Sequence, residues 1–190
     1  LLFRVRREDY VPASYRALAF ADLEIPIGHG EKMLQPKLEA RLIQELQLGA
    51  DDVVLEIGTG TGYMTALMAA MARHVYSVDI ESDFTRDAGA RLAGQGVRNV
   101  TLETGDGSRG WDKNGPYDAI VITGSLPVLP AAFQNSLKTG GRLIAVVGDA
   151  PVMEAQKIVR AGPDAYSATG LFETCIPPLK KAQQPGRFVF

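Results

Sequence analysis

The chain has 190 residues, 46% hydrophobic and 22% charged, with 20 Lys and Arg against 22 Asp and Glu. That is the size and composition of one globular domain with a full core, and a formal charge of −2 gives no basic footprint for nucleic acid or an anionic membrane. No apolar run approaches the ~18 residues that cross a bilayer, the single Cys175 excludes an internal disulfide, and two histidines with one cysteine argue against a structural zinc cluster, so no metal is expected.

The opening Leu1-Leu2-Phe3 has neither an initiator methionine nor the basic-then-apolar order of a signal peptide, so we expect a cytoplasmic protein whose N-terminal end lies upstream. We treat residues 1–190 as a single domain, with an opening segment over 1–36, a core over 37–150 and a completing segment over 151–190. The opening segment mixes charges with apolar residues and carries Pro12, Pro26 and Pro36. From Lys37 onward, Leu38, Leu42, Ile43 and Leu46 recur at helical spacing and predict an amphipathic helix ending near Leu48-Gly49. Residues 53–57 predict a short buried strand stopped by glycine, and residues 65–72 a helix rich in Ala and Met. Further strands are predicted over 75–80, 100–103, 118–122 and 142–147, with a helix over 85–93. In the completing segment Pro177-Pro178 marks a turn, and Phe188-Val189-Phe190 is expected to close a last strand.

Short β-branched strands alternating with helices predict an α/β fold, a Rossmann-like, doubly wound, mainly parallel sheet with helices on both faces. Such sheets bind ligands beyond the carboxyl ends of the strands, where strand order switches. The residues just after each strand are therefore the first place to look for chemistry. After the first strand comes Glu56-Ile57-Gly58-Thr59-Gly60-Thr61-Gly62-Tyr63. A glycine-rich turn at this point lets backbone approach a ligand closely, although a tight turn without a ligand has the same look. The dinucleotide fingerprint G-x-G-x-x-G needs glycine where Tyr63 stands, which counts against a nicotinamide reductase. Asp79 ends the second strand, 21 residues after Gly58, where a carboxylate can accept two hydrogen bonds from a ribose diol or simply cap the next helix. Gly105-Asp106-Gly107 follows the third strand, and an Asp-Gly turn is common without any ligand.

Taken together these loops resemble the class I S-adenosylmethionine-dependent methyltransferases. The resemblance implies a cofactor site of Glu56, Gly58, Thr59, Gly60, Gly62, Tyr63, Asp79, Ile80, Asp106 and Gly107. In that family the glycine loop packs on the methionine moiety with the acidic residue near its amino group. Asp79 would then take the ribose and Asp106 the adenine amine. The run from Tyr117 to Gly124 is similar to the fourth strand of the same fold, which borders the methyl-transfer centre, and Leu137 to Leu143 to the step into the fifth.

Outside these loops the likeness narrows. Arg6-Arg7-Glu8-Asp9-Tyr10-Val11-Pro12, Ala19-Phe20-Ala21-Asp22 and Ile25-Pro26-Ile27-Gly28-His29-Gly30 resemble the opening segment of the protein-L-isoaspartate (D-aspartate) O-methyltransferases, from about Arg6 to Gly148. Members of that family methylate the abnormal carboxylate of damaged protein, so that isoaspartyl residues re-form a succinimide and revert. The resemblance implies a damaged protein or peptide as partner, with no nucleic acid and no membrane. Nothing in the sequence sets an oligomeric state.

One departure bears on the acceptor. The family's G-Q-T-I-S-x-P is replaced by Gly30-Glu31-Lys32-Met33-Leu34-Gln35-Pro36. The serine that orients the acceptor carboxylate is thus Leu34, which cannot donate a hydrogen bond. A carboxylate is already ionised at neutral pH and needs no general base. Losing one charged hydrogen bond costs about 1.5–3 kcal/mol, roughly ten- to a hundred-fold in rate. His29, Lys32, Met33 and Leu34 are the expected acceptor-side residues, with Lys32 either pairing with the acceptor carboxylate or a solvated loop lysine. Thr123 and Ser125 are further hydroxyls after the fourth strand that could stand in for the lost serine. We expect Arg7 and Glu8 to form a surface ion pair, His74 to be an exposed loop residue, Trp111 to anchor packing and Cys175 to be a small buried hydrophobe. Two rivals remain: a methyltransferase for a small-molecule or other carboxylate acceptor, and a cofactor-binding module without catalysis.

Overall fold

Apolar residues at alternate positions of the strands point to opposite faces of a sheet, and both faces here are apolar, so both must be covered. The computed structural model describes residues 1 and 3–185. In chain order they form the hairpin β1 (Ile25–Gly28) and β2 (Glu31–Met33), helix α1 (Pro36–Leu46), β3 (Val53–Ile57), α2 (Tyr63–Ala69), β4 (His74–Asp79) and α3 (Ser82–Gly94). There follow β5 (Val100–Thr104), β6 (Tyr117–Ile122), α4 (Ala131–Asn135), β7 (Leu137–Asp149), β8 (Val152–Arg160) and β9 (Tyr166–Glu173).

Seven strands make one sheet in the order β5-β4-β3-β6-β7-β8-β9. The pairs from β5 to β7 are parallel, and β8 and β9 add antiparallel to the β7 edge. The chain winds outward from β3 to β5, then returns to β6 on the other side of β3, so strand order switches between β3 and β6. Right-handed crossovers put the helices of the two halves on opposite faces. On one face Val54, Ala119, Val121, Ile144 and Val146 pack under α1, α2 and α3 through Leu42, Leu46, Leu67, Met68 and Leu92. On the other, Leu55, Ile57, Ile120, Ile122, Leu143 and Ala145 pack under Phe133 of the short α4 with Leu126 and Leu137. This is the doubly wound, mainly parallel sheet expected from the sequence.

Each predicted strand and helix of the core is present, with ends moved by up to a few residues. The exception in extent is β7, which runs well beyond the predicted 142–147. Helix α1 stops at Leu46 because Gln47 takes a left-handed conformation (φ 49°). The Arg142 guanidinium caps that end, donating to Leu46 O at 2.5 Å and Gln47 O at 2.8 Å while pairing with Asp52 at 2.5 Å.

Several expectations are corrected. Arg7 is not at the surface: it is 1% exposed and pairs with Glu39, while Glu8 pairs with Arg6. Cys175 is exposed rather than buried. His74 opens β4, half-buried, with Nε2 2.9 Å from Thr101 Oγ1. The β1–β2 hairpin, β8 and β9 were not anticipated. The strand expected over 188–190 lies outside the described residues. Among the described residues no helix is long and apolar enough to cross a membrane.

Candidate active site

A concavity opens over the carboxyl ends of β3, β4, β5 and β6, at the switch in strand order. Its floor is the turn from β3 into α2. Gly58 has φ +102°, and a Cβ there would stand 2.1 Å from Thr123 Oγ1. The Thr123 hydroxyl fills the place of the missing side chain, donating to Ile57 O and Gly58 O at 3.0 Å each. Two steps on, the Gly60 amide donates to Asp79 Oδ2 at 2.9 Å, tying the glycine turn to the end of β4. The other Asp79 oxygen accepts from the Glu81 amide at 3.0 Å. Asp79 is 9% exposed, and burial pushes its carboxyl up from the usual carboxylate range. Asp106, on the loop after β5, accepts from the Ser108 amide at 3.0 Å and faces the same space.

The residues expected on the acceptor side lie on the hairpin and the chain after it. Lys32, Met33 and Leu34 line the pocket, Met33 and Leu34 being buried and Lys32 held by Glu24 at 2.8 Å. From the far end of the chain, Pro177, Pro178, Leu179 and Lys180 lie across the opening. This strap is zipped to the loop after β6, with the Ser125 amide donating to Pro177 O and the Leu179 amide to Ser125 O, both at 2.9 Å. Lys180 then reaches over the rim, donating to His29 O at 3.0 Å and Glu81 Oε1 at 2.7 Å.

Of the cofactor-side residues expected from sequence, Gly58, Thr59, Gly60, Tyr63, Asp79, Ile80, Asp106 and Gly107 line this pocket. Glu56 and Gly62 do not. Gly62 is the N-cap of α2 and packs on Ala88 of α3. Glu56 is fully buried behind the turn, where its Oε2 accepts from Thr65 at 2.5 Å and from Ser77 at 2.6 Å. Even-numbered residues of β3 face the helices, so a carboxylate one residue before the strand's end is directed beneath α2 and away from the pocket. Burial first, with Asp79 adding to it, pushes the Glu56 carboxyl up to about 8 against the pull of the two hydroxyls. His29 is likewise outside the lining, at the hairpin turn (φ 53°), its Nε2 2.7 Å from Asp83 Oδ2. The hydrogen bond to Asp83 raises its pKa, and its ring stands edge-on to Phe84. His29, Glu81 and Asp83 bring ligand atoms within 4.8 Å of one another, but Asp83 and Lys180 already engage them. Ser125 is also turned away, its hydroxyl donating to Ile176 O at 3.2 Å.

Glu56 yields a stability prediction. Its folded pKa lies above the unfolded value near 4.5, so the unfolded chain releases this proton first as pH rises. Its contribution to stability is full below about pH 4.5, falls as pH climbs toward about 8, and is flat above. Glu56→Gln keeps an acceptor for Thr65 and Ser77 and cannot ionise. We expect urea midpoints of the variant to fall less between pH 5 and pH 8 than those of the parent. A parallel fall in both would show that Glu56 is ionised in the folded protein.

The charges of the lining favour one sign of ligand. Glu31, Glu39, Asp79, Glu81 and Asp106 stand against Lys32 and Lys180. A pyrophosphate would meet this acidic field unfavourably, whereas a ligand carrying a sulfonium and an ammonium suits it. Thr123, named from sequence as a possible hydroxyl beside the acceptor, lines the pocket, whereas Glu31, Glu39, Glu81 and the 177–180 strap were not singled out as lining residues. The strap's Lys180 sits 151 residues from the His29 carbonyl it holds, and no local pattern announces such a contact.

Comparison with known proteins agrees with this geometry. A profile of the family described as protein-L-isoaspartate(D-aspartate) O-methyltransferase matches residues 1–182. The chain belongs to the protein-L-isoaspartate (D-aspartate) O-methyltransferase family. A protein-L-isoaspartate O-methyltransferase of Myxococcus xanthus is 45% identical over 145 residues, covering 76% of this chain and 68% of that one. One of Synechococcus is 40% identical over 148 residues, 78% of this chain and 61% of that one. The chain thus spans about two thirds of the length of these curated relatives. A crystal structure described as a protein-L-isoaspartate O-methyltransferase of Plasmodium falciparum in complex with S-adenosyl-L-homocysteine superposes with TM-score 0.79. That likeness covers 95% of this chain and 88% of that one at 20% identity, and it supports the class I methyltransferase fold.

Proposed function

We propose that this chain transfers the methyl group of S-adenosylmethionine to the carboxylate of isoaspartyl residues in damaged proteins. The observation that carries the reading is the convergence of the glycine turn, Asp79 and Asp106 on one acidic pocket, closed on its far side by the segment in which the family binds its acceptor. Membership of the family and the S-adenosyl-L-homocysteine bound in the Plasmodium falciparum structure support it.

When bound, S-adenosylmethionine supplies a methyl group activated on a sulfonium. The residues of this chain bind and position. Asp79 accepts from the ribose hydroxyls, Asp106 from the adenine amine, and the Gly58–Gly60 turn lets backbone approach the methionine end. In-line displacement by a carboxylate that is already ionised needs alignment more than proton transfer. Lys32 is the one cation on the acceptor side of the lining besides the strap's Lys180. It takes the acceptor carboxylate in exchange for Glu24. Met33 and Leu34 keep water from that end. Because Leu34 is apolar, the ion pair with Lys32 has to do the orienting of a hydroxyl, and a flexible ammonium does so less well than a fixed donor.

The test is transfer of labelled methyl from S-adenosylmethionine to an isoaspartyl peptide, with the aspartyl peptide as control. Base-labile label on the isoaspartyl peptide alone is the expected result. Lys32→Met should lower kcat/KM for that peptide about ten-fold and leave cofactor affinity within two-fold. Cofactor binding with no label on the peptide would overturn the acceptor assignment, and label on a small carboxylic acid instead would favour the apolar Met33–Leu34 wall as a different acceptor site.

A further inference from the structure

The most unusual buried group of the molecule lies just behind the acceptor wall. Arg7 is 1% exposed, and each part of its guanidinium is engaged by a different segment. Nε donates to Ala19 O at 2.7 Å and Nη2 to Leu34 O at 2.7 Å. Nη1 pairs with the Glu39 carboxylate, and the whole group lies over the Tyr63 ring at 5.0 Å from its centroid. Burial lowers its pKa to about 10, so it is a cation at neutral pH.

Three of those contacts, Leu34, Glu39 and Tyr63, line the pocket. They come from three elements: the chain leaving β2, the first turn of α1, and the start of α2 beside the glycine turn. A planar fork can bind two carbonyls and a carboxylate in fixed directions, which a point charge cannot. Taking an arginine out of water for this purpose is costly, and a hydrophobic side chain would fill the same volume at less expense. We propose that Arg7 is a positioning residue for methyl transfer: by holding Leu34 O and Glu39 against Tyr63, it sets the acceptor wall at a fixed distance from the cofactor turn. This rests on the acceptor side lying along residues 32–34, as in the proposed function. Arg7 touches neither substrate and acts through Leu34.

Arg7→Lys is the discriminating variant, because it keeps a charge to pair with Glu39 and loses the fork. The expected result is a folded protein whose S-adenosylmethionine Kd stays within three-fold of the parent's while kcat/KM for the isoaspartyl peptide falls about thirty-fold. Amide hydrogen exchange across residues 31–36 should speed up at least ten-fold, with exchange in β4 and α2 unchanged. Should Arg7→Lys fail to fold, Arg7→Met combined with Glu39→Met removes both charges and takes its place. A kcat/KM within three-fold of the parent, or exchange over 31–36 that does not change, overturns the proposal. So does a loss of cofactor affinity equal to the loss of kcat/KM, which would place Arg7's effect on the cofactor turn or on folding in general. If the parent protein itself methylates no isoaspartyl peptide, the acceptor assignment fails while the exchange measurement still decides the role of Arg7.

Discussion

Asp79→Ala is expected to weaken S-adenosylmethionine binding by two to three orders of magnitude, read by titration calorimetry on the folded variant. In the proposed reading the carboxylate accepts from both hydroxyls of the ribose, and each charge-assisted hydrogen bond contributes about 1.5–3 kcal/mol. Two of them convert to roughly a hundred- to a thousand-fold or more in Kd. The loss goes beyond ligand contacts, because the Gly60 and Glu81 amides also lose their acceptor. The glycine turn is then no longer tied to the end of β4. Asp79→Asn, which keeps one carbonyl oxygen, should fall between the two at about ten-fold. A Kd for Asp79→Ala within three-fold of the parent's would remove the nucleoside assignment from this pocket.

Gly58→Ala should lose cofactor binding and much of the protein's stability together. Its backbone at φ +102° is strained for any residue with a Cβ, at about 1–3 kcal/mol, and the new methyl would sit 2.1 Å from Thr123 Oγ1. Either the threonine or the turn must move. Moving the threonine breaks its two 3.0 Å hydrogen bonds to Ile57 O and Gly58 O. Moving the turn displaces the backbone that faces the ligand. A loss of about 3 kcal/mol in urea unfolding, and cofactor affinity down at least a hundred-fold, follow from the sum of strain and overpacking. Adding Thr123→Ala removes the overlap but not the strain, so the double variant should regain part of the stability. Two neighbours sharing one space are expected to be non-additive. Strict additivity of the two substitutions would show that the overlap is relieved elsewhere.

How far the sequence announces this molecule depends on how local each feature is. The strand at 53–57 and the turn after it are legible because a buried parallel strand is a run of apolar β-branched residues stopped by glycine. The same pattern led directly to Asp79 and Asp106, which stand at the ends of the neighbouring strands and line the pocket. Strands β8 and β9 escaped because they extend the sheet at an antiparallel edge. In β9, Ser167 to Gly170 are exposed and carry no core periodicity. Glu56 was misplaced for a different reason: the motif fixes its position in the chain, but strand alternation sends its side chain under α2 to Thr65 and Ser77. Arg7 was misjudged because an arginine beside a glutamate most often belongs to the surface. Its burial depends on Ala19, Leu34 and Glu39, which are neighbours only after folding.

The strap over the pocket has a consequence for the order in which the protein is made. Residues 56–107 hold the glycine turn, Asp79 and Asp106, and are joined by parallel pairing of β3, β4 and β5 within about fifty residues of chain. Lys180, which closes the rim onto His29 and Glu81, is translated more than seventy residues after Asp106. At about 5–20 residues per second that is an interval of several seconds. The glycine turn, Asp79 and Asp106 are therefore all synthesised before any residue of the cover. Closing a loop of 151 residues costs only slightly more in entropy than closing a shorter one. The strap therefore joins a site whose glycine turn, Asp79 and Asp106 are all encoded upstream of it, and it reaches the hairpin only across 151 residues of chain.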